Sequence, residues 1–146
     1  MNFNEDRPIL NLTQHVATKS QLEAGLIEPS SEEKQAIKVH LTINDVNTEK
    51  ELEKQILLKA SWLAKLIYNC QRLNGINDFL VGGHPKLLLQ LAKNLKYSEA
   101  DLWMSHSDRI VIEENGVKKS EFKHLFFYRY GLGVERSYMD MPTVIL

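Results

Sequence analysis

The segment from Asp78 to Pro85 constrains the fold more than any other part of the sequence. It reads Asp-Phe-Leu-Val-Gly-Gly-His-Pro, an apolar run followed by two glycines, a histidine and a proline, directly ahead of a helical pattern over residues 86–96. This order predicts a buried strand, a tight turn at Gly82-Gly83 and a helix whose first residue is Pro85. Free N–H groups at such a helix start favour an anion and hence a phosphate-bearing ligand. The alternative is an ordinary strand-to-helix connection with no ligand.

Strand and helix patterns alternate along most of the chain. Strands that alternate with helices predict an α/β fold with a mainly parallel sheet and helices packed on it. Each helical pattern follows a residue that is a good N-cap. The strand candidates are residues 9–12, 78–81 and 102–104, and the helices before the glycine turn follow Thr18, Ser30 and Thr48.

The third of these helices is long and carries more apolar residues than one contact needs. One stripe, spaced by three and four residues, predicts a core-facing side. A second, adjacent row suggests the hypothesis of contact with another subunit. The stripe consists of Leu52, Ile56, Ala60, Leu63 and Ile67, and the second row of Leu58, Trp62 and Leu66.

Asn115-Gly116 predicts a β-hairpin near the end of the domain. The dipeptide lies between residues 109–114 and residues 117–130, and it accepts the positive φ values of a type I′ turn. If these two residues form the loop, the register of the two strands follows. The facing pairs are then Glu113 with Lys118, Ile112 with Lys119, Arg109 with Phe122, and Ser107 with His124.

Composition narrows the class of protein. The chain has 146 residues, which is enough for one core, and 18 basic residues against 19 acidic ones give a net charge of -1. That balance argues against a protein that coats long duplex nucleic acid or an acidic membrane. The single cysteine, Cys70, favours a reducing compartment, and the sequence predicts neither a membrane span nor a signal peptide. We therefore expect a cytoplasmic protein.

Polar residues gather where the predicted strands end. Because the carboxyl ends of parallel strands meet at one edge of a sheet, we expect three polar segments to converge on one ligand site. The alternative is that strand-to-helix loops are polar in any protein. The segments are Thr13, Gln14 and His15; Gly82, Gly83 and His84; and Ser105, His106 and Ser107.

Other chemistries find little support in the sequence. The five histidines have no partner at helical metal-ligand spacing, so we predict no metal site. A glycine-flanked serine elbow is lacking, and the acidic residues fall mostly on solvated helix faces and in the hairpin.

Several motifs, taken in order along the chain, resemble those of one family. They are residues 9–18, the Gly82 to Pro85 turn, residues 105–109, and Phe122-Lys123-His124 ahead of an aromatic strand. Together they resemble the small stand-alone proteins related to the CRISPR-associated Rossmann fold, over roughly residues 8 to 130. The resemblance implies a Rossmann-like domain over residues 1–130. Residues 131–146 have no counterpart and are expected to form a tail docked on the domain or on a second subunit.

The resemblance also implies a function. Members of that group bind cyclic oligoadenylates, the second messengers of type III CRISPR defence, and the ring nucleases among them linearise the messenger. Such enzymes are typically homodimers that use no metal or other cofactor, and the ribose 2′-hydroxyl attacks the adjacent phosphate. Viruses carry them too, so both a defence role and a counter-defence role are open.

That reaction suggests roles for particular residues. Backbone N–H groups from Gly83 to Lys86, except at Pro85, would donate to the phosphate. Arg109 or Lys119 would add positive charge, and His15 or His84 would carry the proton. We therefore assign catalytic roles to His15, His84 and Arg109. Ligand binding is assigned to Thr13, Gln14, Gly82, Gly83, Ser105, Ser107, Lys119 and His124.

Two further functions stay open from the sequence. A module with the same site that senses or sequesters a nucleotide messenger would bind it and do no chemistry. An accessory protein without a nucleotide ligand would use its surplus apolar residues, including the end of the tail at Val144 to Leu146, to hold subunits together.

Overall fold

The structure, a computed structural model, describes residues 7–131. Helices and strands alternate as predicted, with the addition of one two-residue strand that is too short to show a periodic pattern. The strands are β1 Ile9–Asn11, β2 Leu26–Ile27, β3 Asp78–Leu80, β4 Asp101–Glu114 and β5 Val117–Gly131, and the helices are α1 Lys19–Glu23, α2 Ser31–Leu41, α3 Glu49–Asn74 and α4 Pro85–Asn94.

The five strands form one sheet in the order β2-β1-β3-β4-β5. β1 runs parallel to β2 and to β3, β3 runs parallel to β4, and β5 is antiparallel to β4. The predicted fold class is therefore confirmed: the protein has a Rossmann-like α/β fold, with a mainly parallel sheet flanked by helices and a C-terminal β-hairpin.

The helices begin where the sequence places their caps. Thr18 and Ser30 each accept a hydrogen bond from the backbone N–H three residues ahead, and both close a full capping box. Thr48 accepts a hydrogen bond from the N–H of Glu51 at the start of α3, but the Glu51 carboxylate accepts from the N–H of Asn47 rather than closing a capping box. α3 ends at Gly75, whose φ of 67° is the left-handed conformation that glycine adopts without strain. These local signals fix the ends of the helices independently of the sheet.

The core lies where α3 and α4 pack on the sheet. The predicted stripe of α3 is confirmed, since Ile56, Ala60, Leu63 and Ile67 are buried and Leu52 packs against them. Each large apolar side chain so buried contributes roughly 1.5–3 kcal/mol. The residues of the second row of α3 differ in their surroundings. Leu58 is 65% exposed, whereas the ring of Trp62 stacks on His40 at a centroid distance of 3.7 Å.

The hairpin has the predicted turn and register. Asn115 and Gly116 have φ values of 51° and 77°, as a type I′ turn requires, and the four predicted facing pairs are all found. One prediction was wrong. Ser105, His106 and Ser107 do not form a loop after a short strand, because β4 runs without a break from Asp101 to Glu114.

Two expectations concern the chain as a whole. Within residues 7–131, no helix is long and apolar enough to cross a membrane. Of the predicted tail, Gly131 ends β5, and residues 132–146 lie outside the described residues.

Candidate functional site

A cleft of about 330 Å³ opens at the carboxyl ends of β1 and β3. From β1 the chain continues to β2 on one side of the sheet, and from β3 it continues to β4 on the other. Ligands of open α/β sheets bind at such a reversal of strand order. The cleft is lined by Thr13, Gln14, His15 and Gln21 after β1, by Leu80, Val81, Gly82 and Gly83 at the end of β3, and by Met104 and Ser105 of β4.

Ser105 reaches the cleft although it lies within a strand. The pairing of β4 with β3 ends where Leu80 faces Trp103, and β4 continues past that point. Met104 and Ser105 therefore stand beyond the end of β3, at the level of the loops that follow β1 and β3. The structure thus brings together six of the predicted site residues: Thr13, Gln14, His15, Gly82, Gly83 and Ser105.

The glycine turn has a conformation that requires glycine at its second position. Gly83 has a φ of 134°, which other residues rarely adopt, and it is followed by His84 and then by Pro85 as the first residue of α4. Within the described chain, the N–H groups of Gly83 and His84 donate to no protein acceptor. They lie at the positive end of the α4 dipole, so they are available to an anion.

His84 has a structural task at this turn. Its Nδ1 accepts a hydrogen bond of 3.1 Å from the N–H of Lys86, so the imidazole is the N-cap of α4. The N–H of Lys86, which was predicted to face the ligand, is therefore already used. His84 is adjacent to the cleft but does not line it.

A buried asparagine holds the loop after β1. Asn11 is fully buried in β1, and its Oδ1 accepts hydrogen bonds from the N–H of Thr13 at 3.0 Å and from Thr13 Oγ1 at 2.7 Å. Its Nδ2 donates to the carbonyl oxygen of His15 at 2.9 Å and to Glu28 Oε1. Asn11 therefore fixes both ends of the segment from Thr13 to His15.

Lys34 supports the same loop from α2. Its Nζ donates to the carbonyl oxygen of His15 at 2.9 Å and lies 3.3 Å from Glu28 Oε2. Glu28 Oε1 in turn accepts the N–H of Ala17 at 3.0 Å. Asn11, Glu28 and Lys34 are not among the site residues predicted from the sequence, because they are far apart along the chain. The one sequence signal for this role was that Asn11 is a polar residue within an otherwise apolar strand.

On the opposite side of the cleft, Ser105 belongs to a chain of hydrogen bonds. Gln21 Nε2 donates to Ser105 Oγ at 3.3 Å, and Ser105 Oγ lies 2.6 Å from Nδ1 of His124 on β5. Ser107 Oγ is 3.4 Å from Ser105 Oγ. His124 is buried, and this burial lowers its pKa from the ordinary value of 6.5. Its imidazole is therefore neutral at pH 7.

Arg109 and Lys119 lie farther along the hairpin. The guanidinium of Arg109 stands over the ring of Phe122 at 5.3 Å, and Lys119 Nζ is 3.9 Å from Glu114. At about 3.4 Å per residue, Arg109 is roughly 14 Å from Ser105 along β4, and the position opposite Lys119 is roughly 24 Å away. The structure does not bring these two cations to the cleft of their own chain.

The cleft is consequently polar but contains no positive side chain. Among residues 7–131, neither lysine nor arginine lines it, and its polar groups are hydroxyls, amides, an imidazole and peptide groups. No group of three His, Cys, Asp or Glu side chains placed to hold a metal occurs in the described part of the chain. The dipole of α4 and the N–H groups at its start are the local source of positive potential.

Comparisons with known proteins give no further assignment. The chain matches none of the protein-family models, none of the curated proteins and none of the solved structures with which it was compared.

Proposed function

We propose that this protein binds a cyclic oligoadenylate at the cleft between β1 and β3 and cleaves it. The observation that carries this proposal is the position of the cleft, at the reversal of strand order and beside the N–H groups of Gly83 and His84, which donate to no acceptor within residues 7–131. A phosphodiester of the ring would accept hydrogen bonds from these groups. The proposal rests equally on the order of motifs in the sequence.

The reaction that suits such a cleft uses the substrate's own nucleophile. The ribose 2′-oxygen forms a bond to phosphorus while the bond from phosphorus to the 5′-oxygen breaks, which leaves a cyclic phosphate and a 5′-hydroxyl. The protein must hold the ribose for in-line attack and must donate hydrogen bonds to the phosphate oxygens. Removing one such donor typically slows a reaction by roughly 100- to 1000-fold.

The active form in this proposal is a cytoplasmic homodimer. A volume of about 330 Å³ is near the lower end of small-molecule sites, so one cleft suits a part of the ring rather than the whole. A twofold axis would place a second cleft against the same ligand. The hairpin presents exposed apolar side chains for such a contact, among them Val111, Phe122 and Phe126. In a dimer, Arg109 and Lys119 can approach the ligand of the partner subunit.

A non-catalytic sensor is the second candidate. The capping role of His84 favours it, because that role occupies one of the residues predicted to carry the proton. Sensor and enzyme differ in one experiment. Purified protein is incubated with labelled cyclic tri-, tetra- and hexa-adenylate in EDTA, with heat-denatured protein as the control. We expect linear products. Retention of a ring without products would favour the sensor, and neither retention nor products would contradict both functions.

A further inference from the structure

The directions of three consecutive hydrogen bonds identify a proton acceptor in the cleft. The N–H of Thr18 donates to Gln21 Oε1 at 2.9 Å, which fixes the orientation of the side-chain amide. Gln21 therefore presents its Nε2 to Ser105 Oγ at 3.3 Å, and an amide nitrogen only donates. One lone pair of Ser105 Oγ is thereby occupied, and the hydroxyl proton of Ser105 must be donated to a different acceptor.

The nearest acceptor for that proton is His124. Its Nδ1 is 2.6 Å from Ser105 Oγ, whereas Ser107 Oγ is 3.4 Å away. A neutral imidazole accepts at one nitrogen and carries its proton on the other, so Nδ1 is the acceptor and Nε2 holds the proton. The imidazole is shielded from water by burial and by the ring of Phe127, whose centroid is 4.3 Å from its own.

We infer that Ser105 is a catalytic residue that accepts the proton of the attacking hydroxyl while it passes its own proton to His124. This inference rests on the proposed function, since the hydroxyl is the ribose 2′-hydroxyl of the bound ring. Ser105 lines the cleft and retains one lone pair for that hydroxyl. His124 stands behind Ser105 and acts only through it.

The step is balanced without a metal or any other co-reactant. The 2′-hydroxyl loses its proton to Ser105 Oγ, and the Ser105 proton moves to Nδ1 of His124 as the 2′-oxygen bonds to phosphorus. The leaving 5′-oxygen is opposite the 2′-oxygen in an in-line attack, so it takes its proton from water. The proton on Nδ1 of His124 then returns to Ser105 Oγ as Ser105 releases a proton to water in the cleft, which restores the starting state.

β5, the strand that holds His124, packs against β4 and α1, and charged residues of α1 and β5 line a second cleft. Lys19 and Glu23 of α1 line that second cleft together with Glu121 and Lys123 of β5. Burial is the cause of the lowered pKa of His124. The pH dependence of the pair is therefore set by the protonation of His124 itself.

The test compares two conservative variants with matched controls. His124→Asn keeps an oxygen that can accept from Ser105 but removes the basic nitrogen, and Ser105→Ala removes the relay. We expect each to lower kcat for ring cleavage by about 100-fold or more with unchanged ring affinity. His40→Asn and Ser120→Ala are the controls, since they change a stacked histidine and a hydroxyl of the exposed hairpin. Their kcat is expected to stay within about twofold of the wild-type value, because neither side chain takes part in the proton transfer.

The pH profile distinguishes proton transfer from a structural role. In the wild type, kcat should fall on the acid side with a midpoint below 6.5, the ordinary pKa from which that of His124 is lowered. His124→Asn should lose this acid limb. Full activity of His124→Asn, or an unchanged limb in it, would overturn the inference. A covalent phosphoserine at Ser105 would also overturn it, because Ser105 would then be the nucleophile.

A measurement without ligand tests the geometry separately. Two-bond ¹H–¹⁵N spectra of the full chain should show His124 unprotonated at Nδ1 and protonated at Nε2, and the opposite tautomer would contradict the relay. The assay of the wild type separates the two proposals. Binding without cleavage overturns the relay and leaves the ligand assignment standing, whereas neither binding nor cleavage overturns the ligand assignment and the relay with it.

Discussion

Ser105 Oγ lies 2.6 Å from Nδ1 of His124, although the residue opposite His124 in the β4–β5 register is Ser107. The register shifts between His106 and Ser107, where Leu125 is the extra residue of β5. Such a bulge increases the local twist and re-aims side chains, and diagonal neighbours on one face of a strand pair are within reach of an imidazole. The bulge thus occurs where the hairpin meets the cleft.

Burial of His124 predicts a dependence of stability on pH. Its folded-state pKa is lowered, so the unfolded chain binds a proton more readily than the folded chain. The contribution of His124 to the free energy of unfolding should be constant well above pH 6.5 and should decrease as the pH falls from there through the lowered pKa. On acidification, the free energy of unfolding measured by urea denaturation should therefore decrease more in the wild type than in His124→Asn. Parallel curves between pH 7 and pH 5 would contradict this expectation.

Asn11 is expected to control the order of the loop after β1. Asn11→Ala leaves the N–H of Thr13 without its acceptor and removes one hydrogen bond each from the carbonyl of His15 and from Glu28, so it should cost about 1–3 kcal/mol of stability. Ring binding should weaken as well, because Thr13 and His15 line the cleft. Chemical denaturation and a binding titration measure both effects. The exposed Asn47 offers a control, and equal losses for Asn47→Ala would show that the network is unimportant.

The two glycines of the turn are expected to differ. Gly83→Ala places a Cβ at a φ of 134° and should cost about 1–3 kcal/mol. Gly82 has no such strain, and a Cβ there would meet Thr13 Cγ2 at 3.5 Å, an ordinary contact, so Gly82→Ala should cost less. Thermal unfolding of the two variants compares them directly. The same loss in both would mean that backbone conformation is not the cause.

His84 is expected to behave as a helix cap. Asparagine is a good N-cap, so His84→Asn should retain stability, whereas His84→Ala should lose about 0.5–2 kcal/mol. Denaturation curves of the wild type and of the two variants measure the difference. Ring cleavage by His84→Asn should remain close to that of the wild type. A decrease of about 100-fold with unchanged binding would instead identify His84 as the proton carrier.

Much of the fold was accessible from local patterns. The caps at Thr18, Ser30 and Thr48 and the Asn115-Gly116 turn act over a few residues, and they were predicted where the structure has them. The strand β2 was not predicted, because two residues are too few to show the alternation of apolar and polar residues that marks a strand. The polar composition of residues 105–107 predicts a loop, whereas pairing with β5 makes them part of a strand.

The same distinction between local patterns and tertiary contacts applies to the site. The sequence by itself determined the Gly82-Gly83 turn and the polar segment from Thr13 to His15, because the backbone conformation of glycine and the ends of buried strands are local properties. Only the tertiary structure decided that His84 caps α4, that Asn11, Glu28 and Lys34 hold the loop, and that Ser105 contacts His124. Those relationships depend on hydrogen bonds between distant segments, which form only when the sheet register and helix packing are set.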